Sequence, residues 1–242
     1  MRAMILAAGK GTRLRPLTDT VPKPLLEVAG RPMIDFPLQL LREAGIQEVV
    51  INLHHLGEQI RNRLGDGRAY GMRISYSEED PILDTGGAIA AAKAFLGGAT
   101  FVVLNADTVI DLRLRDVIDF HRAHQATATM VLRPDPDAAR HDAITVDATQ
   151  RIHSILGHSD ACGAAAAAAG NRLMYAGIMV LDPRVFDYMG QGVFSITRDV
   201  FPRLLAAAEP LYGYVHAGYW RVLDTPTDLV AGRAELAQRG VR

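Results

Sequence analysis

The sequence has few of the features that mark a specialised class of protein. Its 242 residues contain one cysteine, Cys162, which excludes an intramolecular disulfide and fits a reducing compartment. No window reaches the roughly 20 apolar residues of a membrane-spanning helix. The apolar start, Met1–Gly9, is too short for a secretory signal. We therefore expect a cytoplasmic protein that has no membrane partner.

An excess of charge of one sign is also lacking. The 26 Lys and Arg residues nearly balance the 27 Asp and Glu residues, which gives a formal net charge of −1. Domains that bind nucleic acid usually carry a strong positive excess, so we expect no nucleic-acid partner. The eight histidines show no spacing of a zinc site, and the sequence has no G-x-S-x-G motif of a serine hydrolase.

The sequence does have a large apolar fraction, arranged in an alternating pattern. Hydrophobic residues make up 49% of the chain, enough for a sizeable core. In the first half, strands are predicted at Ala3–Ala7, Glu48–Asn52, Arg73–Ser77, Phe101–Leu104 and Thr127–Leu132, and helices at Met33–Ala44, Gly57–Leu64, Gly87–Phe95 and Leu114–Gln125. This alternation predicts an α/β fold of the Rossmann-like, doubly wound type, in which a mostly parallel sheet has helices on both faces.

The second half has more strands and fewer helices. Strands are predicted at Ala143–Val146, Ile152–Ile155, Met174–Leu181, Leu211–Val215 and Tyr219–Leu223, and helices at Ser195–Ala208 and Thr227–Gln238. Pro202 is expected to kink or break the first of these helices. The pattern predicts a smaller antiparallel layer. Because no linker separates the halves, we expect one continuous domain over 1–242. The alanine run Ala164–Ala169 is assigned no function.

The N-terminal loop carries the clearest chemical signal. After the first strand the chain reads Leu6-Ala7-Ala8-Gly9-Lys10-Gly11-Thr12-Arg13-Leu14, and Pro22-Lys23-Pro24-Leu25 follows. A glycine loop at the end of a strand exposes backbone N–H groups that can hold phosphate oxygens. Arg13 has the forked geometry that clamps phosphates, and two prolines present Lys23 from a rigid segment. The alternative is an ordinary tight turn with solvated cations.

These motifs resemble the signature of the sugar-1-phosphate nucleotidyltransferases, and the likeness extends along nearly the whole chain. Asp84–Ile89 resembles the family's second glycine turn, and Asn105–Asp107 resembles its metal-binding aspartate after a central strand. Tyr175–Ile178 resembles its sugar-pocket strand, and Trp220–Pro226 resembles its closing metal loop. Within the family, the chain is most similar to the short uridylyltransferases that act on N-acetylmuramate 1-phosphate.

The resemblance implies an enzyme that makes a nucleotide-sugar and pyrophosphate from a nucleoside triphosphate and a sugar 1-phosphate, with Mg²⁺ as cofactor. UTP is favoured, with N-acetylmuramate 1-phosphate or a similar hexose 1-phosphate, for a cell-wall or surface polysaccharide. The alternatives are CTP or GTP with another sugar or a non-sugar phosphate, and a catalytically silent nucleotide-binding subunit. The nucleotide-binding half is expected at 1–135 and the sugar-binding half at 136–242. A homo-oligomer is left open.

The resemblance also implies the site residues. Arg13 and Lys23 are the implied catalytic residues, acting on the leaving pyrophosphate and on the α-phosphate or sugar phosphate. Asp107 and Asp224 are the implied magnesium ligands. The implied nucleotide contacts are Leu6, Ala7, Ala8, Gly9, Gly11, Thr12, Arg13, Glu79, Thr85, Gly86, Gly87 and Asn105. The implied sugar contacts are Asn171, Tyr175, Ala176 and Gly177. A core strand that needs small residues is the alternative for Ala176 and Gly177, and an N-cap is the alternative for Thr85.

One position departs from the family pattern Trp-x-Asp-x-Gly-Thr. Here the chain reads Trp220-Arg221-Val222-Leu223-Asp224-Thr225-Pro226, so Val222 takes the usual aspartate position. The segment resembles instead the Trp-x-x-x-Asp-Thr pattern of the glucose-1-phosphate cytidylyltransferases, in which Asp224 would supply the carboxylate from a different turn. The alternative is that Asp224 only caps the helix beginning near Pro226. A cap is also the alternative role for Asp107.

Overall fold

The computed structural model of the chain describes residues 1–134, 144–160 and 172–239. The strands are β1 (Arg2–Leu6), β2 (Glu27–Val28), β3 (Arg31–Pro32), β4 (Glu48–Leu53), β5 (Arg73–Glu78), β6 (Phe101–Asn105), β7 (Thr108–Ile110), β8 (Ala128–Pro134), β9 (Ile144–Val146), β10 (Ile152–Ile155), β11 (His158–Ser159), β12 (Arg172–Leu181), β13 (Leu211–Val215) and β14 (Trp220–Val222). The α-helices are α1 (Asp35–Glu43), α2 (Gly57–Leu64), α3 (Asp84–Ala91), α4 (Lys93–Leu96), α5 (Leu114–Ala123), α6 (Phe201–Ala206) and α7 (Pro226–Gln238).

The chain divides into two compact units whose segments interleave along the sequence. Unit 1 comprises Met1–Ile82, Leu104–Leu112 and Gly218–Arg242, and unit 2 comprises Leu83–Val103 and Arg113–Ala217. The expected single domain, with its two halves, stays a prediction. The alanine run at 164–169 lies outside the described residues. Among the residues that the structure describes, no helix is both long and apolar enough to cross a membrane.

Unit 1 is built on parallel strands. β1 pairs with β4, with Ala3 opposite Val49, and β4 pairs with β5, with Ile51 opposite Tyr76. Ala3, Met4 and Ile5 of β1 and the apolar residues of β4 are buried, as strands inside an α/β sheet require. The chain reaches each next strand through a helical crossover, α1 and then α2. This part of the structure agrees with the parallel βαβ pattern predicted from the sequence.

A second apolar cluster in unit 1 lies around the short antiparallel pair of β7 and β14, in which Ile110 is opposite Trp220. The cluster draws on segments from the beginning, middle and end of the chain: Leu14, Leu26, Val28, Met33, Phe36, Val109, Leu223, Leu229 and Leu236. It packs α7 and the β7–β14 pair against the segment that follows β1. Three separated stretches of sequence are thereby fixed together in one body.

Unit 2 is largely antiparallel. β12 pairs antiparallel with β8 and β9, and β10 pairs antiparallel with β9 and β11. β13 is the exception, because it runs parallel to β8. The sequence pattern predicts that the β8 segment lies among parallel strands. The structure confirms this for its β13 neighbour but not for β12, which runs antiparallel to β8. Alternation along the chain shows which segments are strands, whereas the direction of a partner depends on how the chain returns.

Two predicted helices are each divided into two elements in the structure. The helix expected at Gly87–Phe95 begins earlier, as α3, and a separate short helix, α4, follows it. The helix expected at Ser195–Ala208 is a π-helical turn, Ile196–Val200, followed by α6. Pro202 stands at the second position of α6, where its missing N–H costs no helical hydrogen bond. The expected break at this proline is confirmed.

Candidate functional site

The glycine loop after β1 is shaped by Gly11. Gly11 has a φ of +61°, in the left-handed region that glycine adopts without strain. A Cβ atom at this position would lie 2.8 Å from Thr18 Cγ2 and 3.1 Å from Lys23 Cβ. Thr18 Oγ1 also donates a 2.8 Å hydrogen bond to the Gly11 carbonyl. Gly9, by contrast, has open space where its Cβ would be, so a ligand can approach the backbone there.

Lys23 begins a short 3₁₀ helix, Lys23–Leu25, between two prolines. Pro22 holds extended backbone before it, and the Pro24 carbonyl accepts a 2.9 Å hydrogen bond from the Ile34 N–H. The side chain of Lys23 is only 10% exposed. A buried ammonium is unstable without carboxylate partners. The alternative of a solvated lysine in a proline turn is therefore wrong.

Asp107 and Asp224 come together through the antiparallel pair of β7 and β14. Asp107 immediately precedes β7, Asp224 lies two residues after β14, and Thr108 is opposite Val222. The Leu223 N–H donates a 3.0 Å hydrogen bond to the Asp107 carbonyl, which extends the pairing beyond the strands. Because the pair is antiparallel, both aspartates lie at the same end of it.

The capping alternative for Asp224 is wrong, because Thr225 is the N-cap of α7. The Thr225 side chain accepts a 3.2 Å hydrogen bond from the Asp228 N–H, and the Asp228 carboxylate accepts one of 2.9 Å from the Thr225 N–H. This reciprocal arrangement is a capping box. The capping box provides hydrogen bonds for N–H groups at the start of α7 without Asp224. The carboxylate of Asp224 contacts Lys23 and Arg13 instead.

Lys23 lies between the two carboxylates and donates hydrogen bonds to both, at Asp107 Oδ2 and Asp224 Oδ1. Arg13 Nη2 lies 2.5 Å from the second oxygen of Asp224. The side chain of Arg13 is 68% exposed, so it contacts this cluster from the solvent side. Two cations and two carboxylates thus form one ion cluster, consisting of Arg13, Lys23, Asp107 and Asp224.

One carboxylate oxygen of the ion cluster has no hydrogen-bond partner among the described residues. Asp107 Oδ1 is buried and accepts no hydrogen bond from any residue in the described ranges. A buried carboxylate oxygen without a partner is unfavourable. Mg²⁺ prefers oxygen ligands and is commonly held by one or two carboxylates, waters and substrate phosphates. Asp107 and Asp224 fit that pattern. No set of three or more His, Cys, Asp or Glu side chains among the described residues forms a metal site of its own.

A cavity of about 250 Å³ opens beside the ion cluster, entirely within unit 1. Its lining consists of Leu6, Ala7, Gly9, Gly11, Thr12, Arg13, Lys23, Pro24, Ala106, Asp107 and Asp224. All of these except Pro24 and Ala106 are predicted site residues. The predicted contacts Ala8 and Asn105 adjoin lining residues in sequence and are not among them. Exposed loop backbone, two cations and two carboxylates suit a polyanionic ligand that brings a divalent cation.

Glu79, another predicted nucleotide contact, is buried and fixed by the end of β4. Its N–H donates to the Leu53 carbonyl at 2.9 Å, and its own carbonyl lies 2.9 Å from His54 Nδ1. Asn52 Nδ2 donates to Glu79 Oε1 at 2.7 Å, while Asn52 Oδ1 accepts from the Ala7 N–H at 2.7 Å. Asn52 therefore links the glycine loop to Glu79. The role of Asn52 was not predicted from the sequence, in which the only sign of it is a single amide side chain inside an apolar strand.

In unit 2, the predicted second glycine turn lies inside the first turn of α3 rather than before the helix. Thr85 is not an N-cap, because its Oγ1 accepts a 3.0 Å hydrogen bond from the Ile196 N–H. The Gly86 and Gly87 N–H groups donate to the Phe194 carbonyl at 2.9 and 3.1 Å. A Cβ on Gly87 would lie 2.3 Å from the Gly192 carbonyl oxygen. These glycines are thus needed for close packing, and their nucleotide role stays a prediction.

Three of the predicted sugar contacts, Tyr175, Ala176 and Gly177, lie on β12 in unit 2. Ala176 is fully buried, and Gly177 has a φ of +86°. The register between β12 and β8 shifts between Tyr175 and Met179, so the strand is irregular at this point. The sugar role of these residues stays a prediction. Asn171 lies outside the described residues.

A glycine loop, a pair of carboxylates and two cations on an α/β scaffold define a site of the kind used by enzymes that transfer phosphoryl or nucleotidyl groups. The nucleotidyl transferase family model matches residues 2–239, and the chain belongs to this family. The predicted family is confirmed.

Curated relatives differ in the substrates for which they are named. The chain is 36% identical over 241 residues to mannose-1-phosphate guanylyltransferase of Mycobacterium tuberculosis, covering 99% of this chain and 65% of that protein. It is 37% identical over 245 residues to N-acetylmuramate alpha-1-phosphate uridylyltransferase of Neisseria meningitidis, covering 97% of each. The chain therefore spans less than two thirds of the first relative and nearly all of the second.

Solved structures support the fold. A structure described as a glucose-1-phosphate thymidylyltransferase of Bacillus anthracis in complex with sucrose superimposes with a TM-score of 0.82. The match covers 97% of this chain and 94% of that one at 23% identity. At this identity the likeness concerns the fold alone, and it confirms the predicted α/β class.

Proposed function

We propose that this chain joins a nucleoside triphosphate to a sugar 1-phosphate and releases pyrophosphate. The observation that carries the proposal is the ion cluster at the wall of the glycine-loop cavity, where both implied catalytic cations and both implied metal ligands converge. Family membership supports the same reaction, since relatives are named as guanylyl- and uridylyltransferases of sugar 1-phosphates. A nucleoside triphosphate and a sugar 1-phosphate are the proposed small-molecule partners.

The proposed chemistry is one in-line displacement. An oxygen of the sugar phosphate attacks the α-phosphorus of the triphosphate and forms the new P–O bond. The bond from the α-phosphorus to the α–β bridging oxygen breaks, and the pyrophosphate leaves with the electron pair. The described lining of the cavity includes no Cys, His or Ser, so the proposal has no covalent enzyme intermediate. Positioning and charge stabilisation provide the catalysis.

The two cations have distinct proposed roles. Arg13 is exposed, and its guanidinium suits bidentate contact with the β- and γ-phosphates, whose charge grows as pyrophosphate leaves. Lys23 is buried on a rigid segment, and its ammonium suits the α-phosphate or the sugar phosphate. Asp107 and Asp224 would hold Mg²⁺, which when bound polarises phosphate oxygens and neutralises part of their charge.

For the base and the sugar, we propose UTP and N-acetylmuramate 1-phosphate or a similar hexose 1-phosphate. Support comes from the uridylyltransferase relative, which is 37% identical to this chain and matches it over 97% of the length of each. GTP with mannose 1-phosphate is a close alternative, because the guanylyltransferase relative is almost equally identical. With the favoured substrates, the proposed reaction takes place in the cytoplasm, and its product would be used to build a cell-wall or surface polysaccharide.

The test is pyrophosphate release with Mg²⁺, with four nucleoside triphosphates crossed against a panel of sugar 1-phosphates. We expect one pair to exceed the others clearly, and we expect Asp107→Asn and Asp224→Asn each to reduce its rate by roughly 100-fold or more. Asp111→Asn is the matched control, since Asp111 lies in the same segment but outside the cavity lining. No release with any pair would refute the proposal. Nucleotide binding without turnover would favour a silent subunit, to which the unusual Asp224 position also points.

A further inference from the structure

Lys23 donates hydrogen bonds to Asp107 and Asp224, the same two carboxylates that would hold a divalent cation. We propose that Lys23 is a built-in counter-ion that competes with the divalent cation for this carboxylate pair. When the cation and the triphosphate bind together, the ammonium moves from the carboxylates to a phosphate. This inference rests on the proposed function, since it takes both aspartates as metal ligands.

The competition follows from charge and space. Both carboxylates are mostly buried, with side-chain exposures of 20% and 22%, so solvent screens them incompletely. Without a cation between them they would repel each other, and Lys23 removes that repulsion. A divalent ion at the same place would meet the ammonium at contact distance. One of the two cations must then leave, because like charges at that distance cannot share the site.

The protein offers Lys23 a way to leave. Pro22 and Pro24 fix its backbone, but the four-carbon side chain rotates about several bonds. Asp107 Oδ1 is buried and has no hydrogen-bond partner in the described residues, so it is an oxygen that Lys23 leaves unused and that the metal could take once the ammonium has moved. Arg13 lies against the second oxygen of Asp224 and is largely exposed, so moving it away from Asp224 uncovers little buried surface.

Metal and triphosphate should therefore bind with positive coupling. Metal alone must expel Lys23 from the carboxylates into a cavity that offers it no anion. A triphosphate in the cavity supplies the replacement oxygens, so each ligand lowers the cost of binding the other. Lys23 would thus reach the phosphate only after the metal has taken its place, which couples assembly of the site to occupation by both ligands.

The chain is suited to a direct test because it contains three lysines, Lys10, Lys23 and Lys93. Mn²⁺ binding to the whole chain without nucleotide would be measured by electron paramagnetic resonance for the wild type and for Lys23→Met. We expect the variant to bind Mn²⁺ roughly tenfold more tightly or better, because the competing ammonium is gone. Lys10→Met is the matched control: it removes the same charge from the exposed part of the same loop, and its Mn²⁺ affinity should stay within about twofold of the wild type.

A second measurement uses the unchanged chain, in case Lys23→Met does not fold. With ¹³C-labelled lysine side chains, three Cε signals are expected, and Lys10→Met and Lys93→Met assign two of them. The third, from Lys23, should move on addition of Mg²⁺ and move further when tripolyphosphate is added. The signals of Lys10 and Lys93 should not follow the Mg²⁺ titration.

The outcomes separate this inference from the proposed function. Tighter Mn²⁺ binding by Lys23→Met, or a Lys23 signal that follows Mg²⁺, supports the competition. Equal or weaker Mn²⁺ binding by the variant, or a Lys23 signal that stays fixed while Mg²⁺ binds, overturns it even if the wild type releases pyrophosphate. Failure of both proteins to bind Mn²⁺, with or without tripolyphosphate, overturns the inference together with the proposed metal ligands.

Discussion

At the scale of single residues, Gly11 is the position in the glycine loop least able to accept a side chain. Its positive φ and the 2.8 Å approach of Thr18 Cγ2 both act against a Cβ atom. We expect Gly11→Ala to lower the free energy of unfolding by about 1–2 kcal/mol, measured by urea denaturation. Gly9→Ala is the control and should change stability by less than about 0.5 kcal/mol, since open space surrounds that position. Equal stability of the two variants would contradict this account of the loop.

Asn52 gives a second test, because one amide serves two partners. Asn52→Asp keeps an acceptor for the Ala7 N–H but sets a carboxylate against Glu79. We expect a loss of about 1–3 kcal/mol in the free energy of unfolding, accompanied by weaker nucleotide binding.

Adding Glu79→Gln to Asn52→Asp exchanges donor and acceptor while preserving the net charge of the pair. This double variant should recover most of the lost stability, as a double-mutant cycle would measure. The exposed Asn62 of α2 provides the control: Asn62→Asp should be nearly neutral. If the exchange recovered nothing, the hydrogen bond between Asn52 and Glu79 would not be the source of the effect.

At the scale of elements, α7 begins next to Asp224, and its start is held by the capping box of Thr225 and Asp228. Thr225→Ala removes the side-chain acceptor for the Asp228 N–H. We expect it to lower the free energy of unfolding by about 1 kcal/mol in urea titrations. Thr225→Ser should retain the cap, and Thr227→Ala on the exposed side of the same turn is the neutral control. A loss of similar size from both alanine variants would point to helix propensity instead of capping.

The β10–β11 hairpin of unit 2 contains a buried histidine between two carboxylates. His153 Nε2 lies 2.9 Å from Asp147 Oδ2, and His153 Nδ1 lies 2.8 Å from Asp160 Oδ2. Burial alone would lower the pKa of His153, but the hydrogen bonds and charges of Asp147 and Asp160 outweigh it and raise the pKa above 6.5. Both ring nitrogens can donate only when the imidazole is charged.

The sign of the pH effect follows from that raised pKa. The charged form stabilises the folded state fully below the unfolded pKa of 6.5, and its contribution is lost as pH rises through the folded pKa. We expect the stability difference between the wild type and His153→Gln to be largest near pH 6 and to shrink toward pH 9. His158→Gln, on the exposed β11, is the control and should show little of this trend. A difference independent of pH would contradict a charged His153.

The elements also show what the sequence could and could not predict. α2, β10 and β13 have the predicted boundaries, because their apolar periodicity and flanking residues define them locally. β7 is too short to have a readable period and was missed. Lys23, Asp107 and Asp224 were identified through residue type and resemblance. The contacts of Lys23 with the two aspartates were not predicted. These contacts join residues that are 84 and 201 positions apart in the sequence, and they depend on the pairing of β7 with β14.

At the scale of the whole molecule, the substrate question turns on small differences between similar relatives. The guanylyl- and uridylyltransferase relatives are 36% and 37% identical to the chain. Overall likeness therefore cannot choose the base. The ion cluster cannot choose it either, because phosphates are common to every nucleoside triphosphate. Selection has to come from contacts with the base itself.

Ligand-linked stability measures that selection without requiring turnover. A ligand that binds the folded state raises the free energy of unfolding by about 2.7 kcal/mol at 100 times its Kd, and one that binds weakly raises it much less. With Mg²⁺ present, we expect UTP to raise the melting temperature more than CTP, GTP or ATP at equal concentration. Asp107→Asn should reduce the rise for all four, because the phosphates and the metal contribute equally to each. A larger rise in melting temperature with GTP than with UTP would favour guanylyl transfer over uridylyl transfer. Equal rises with all four nucleotides would mean that the base is selected only when the sugar phosphate is also bound.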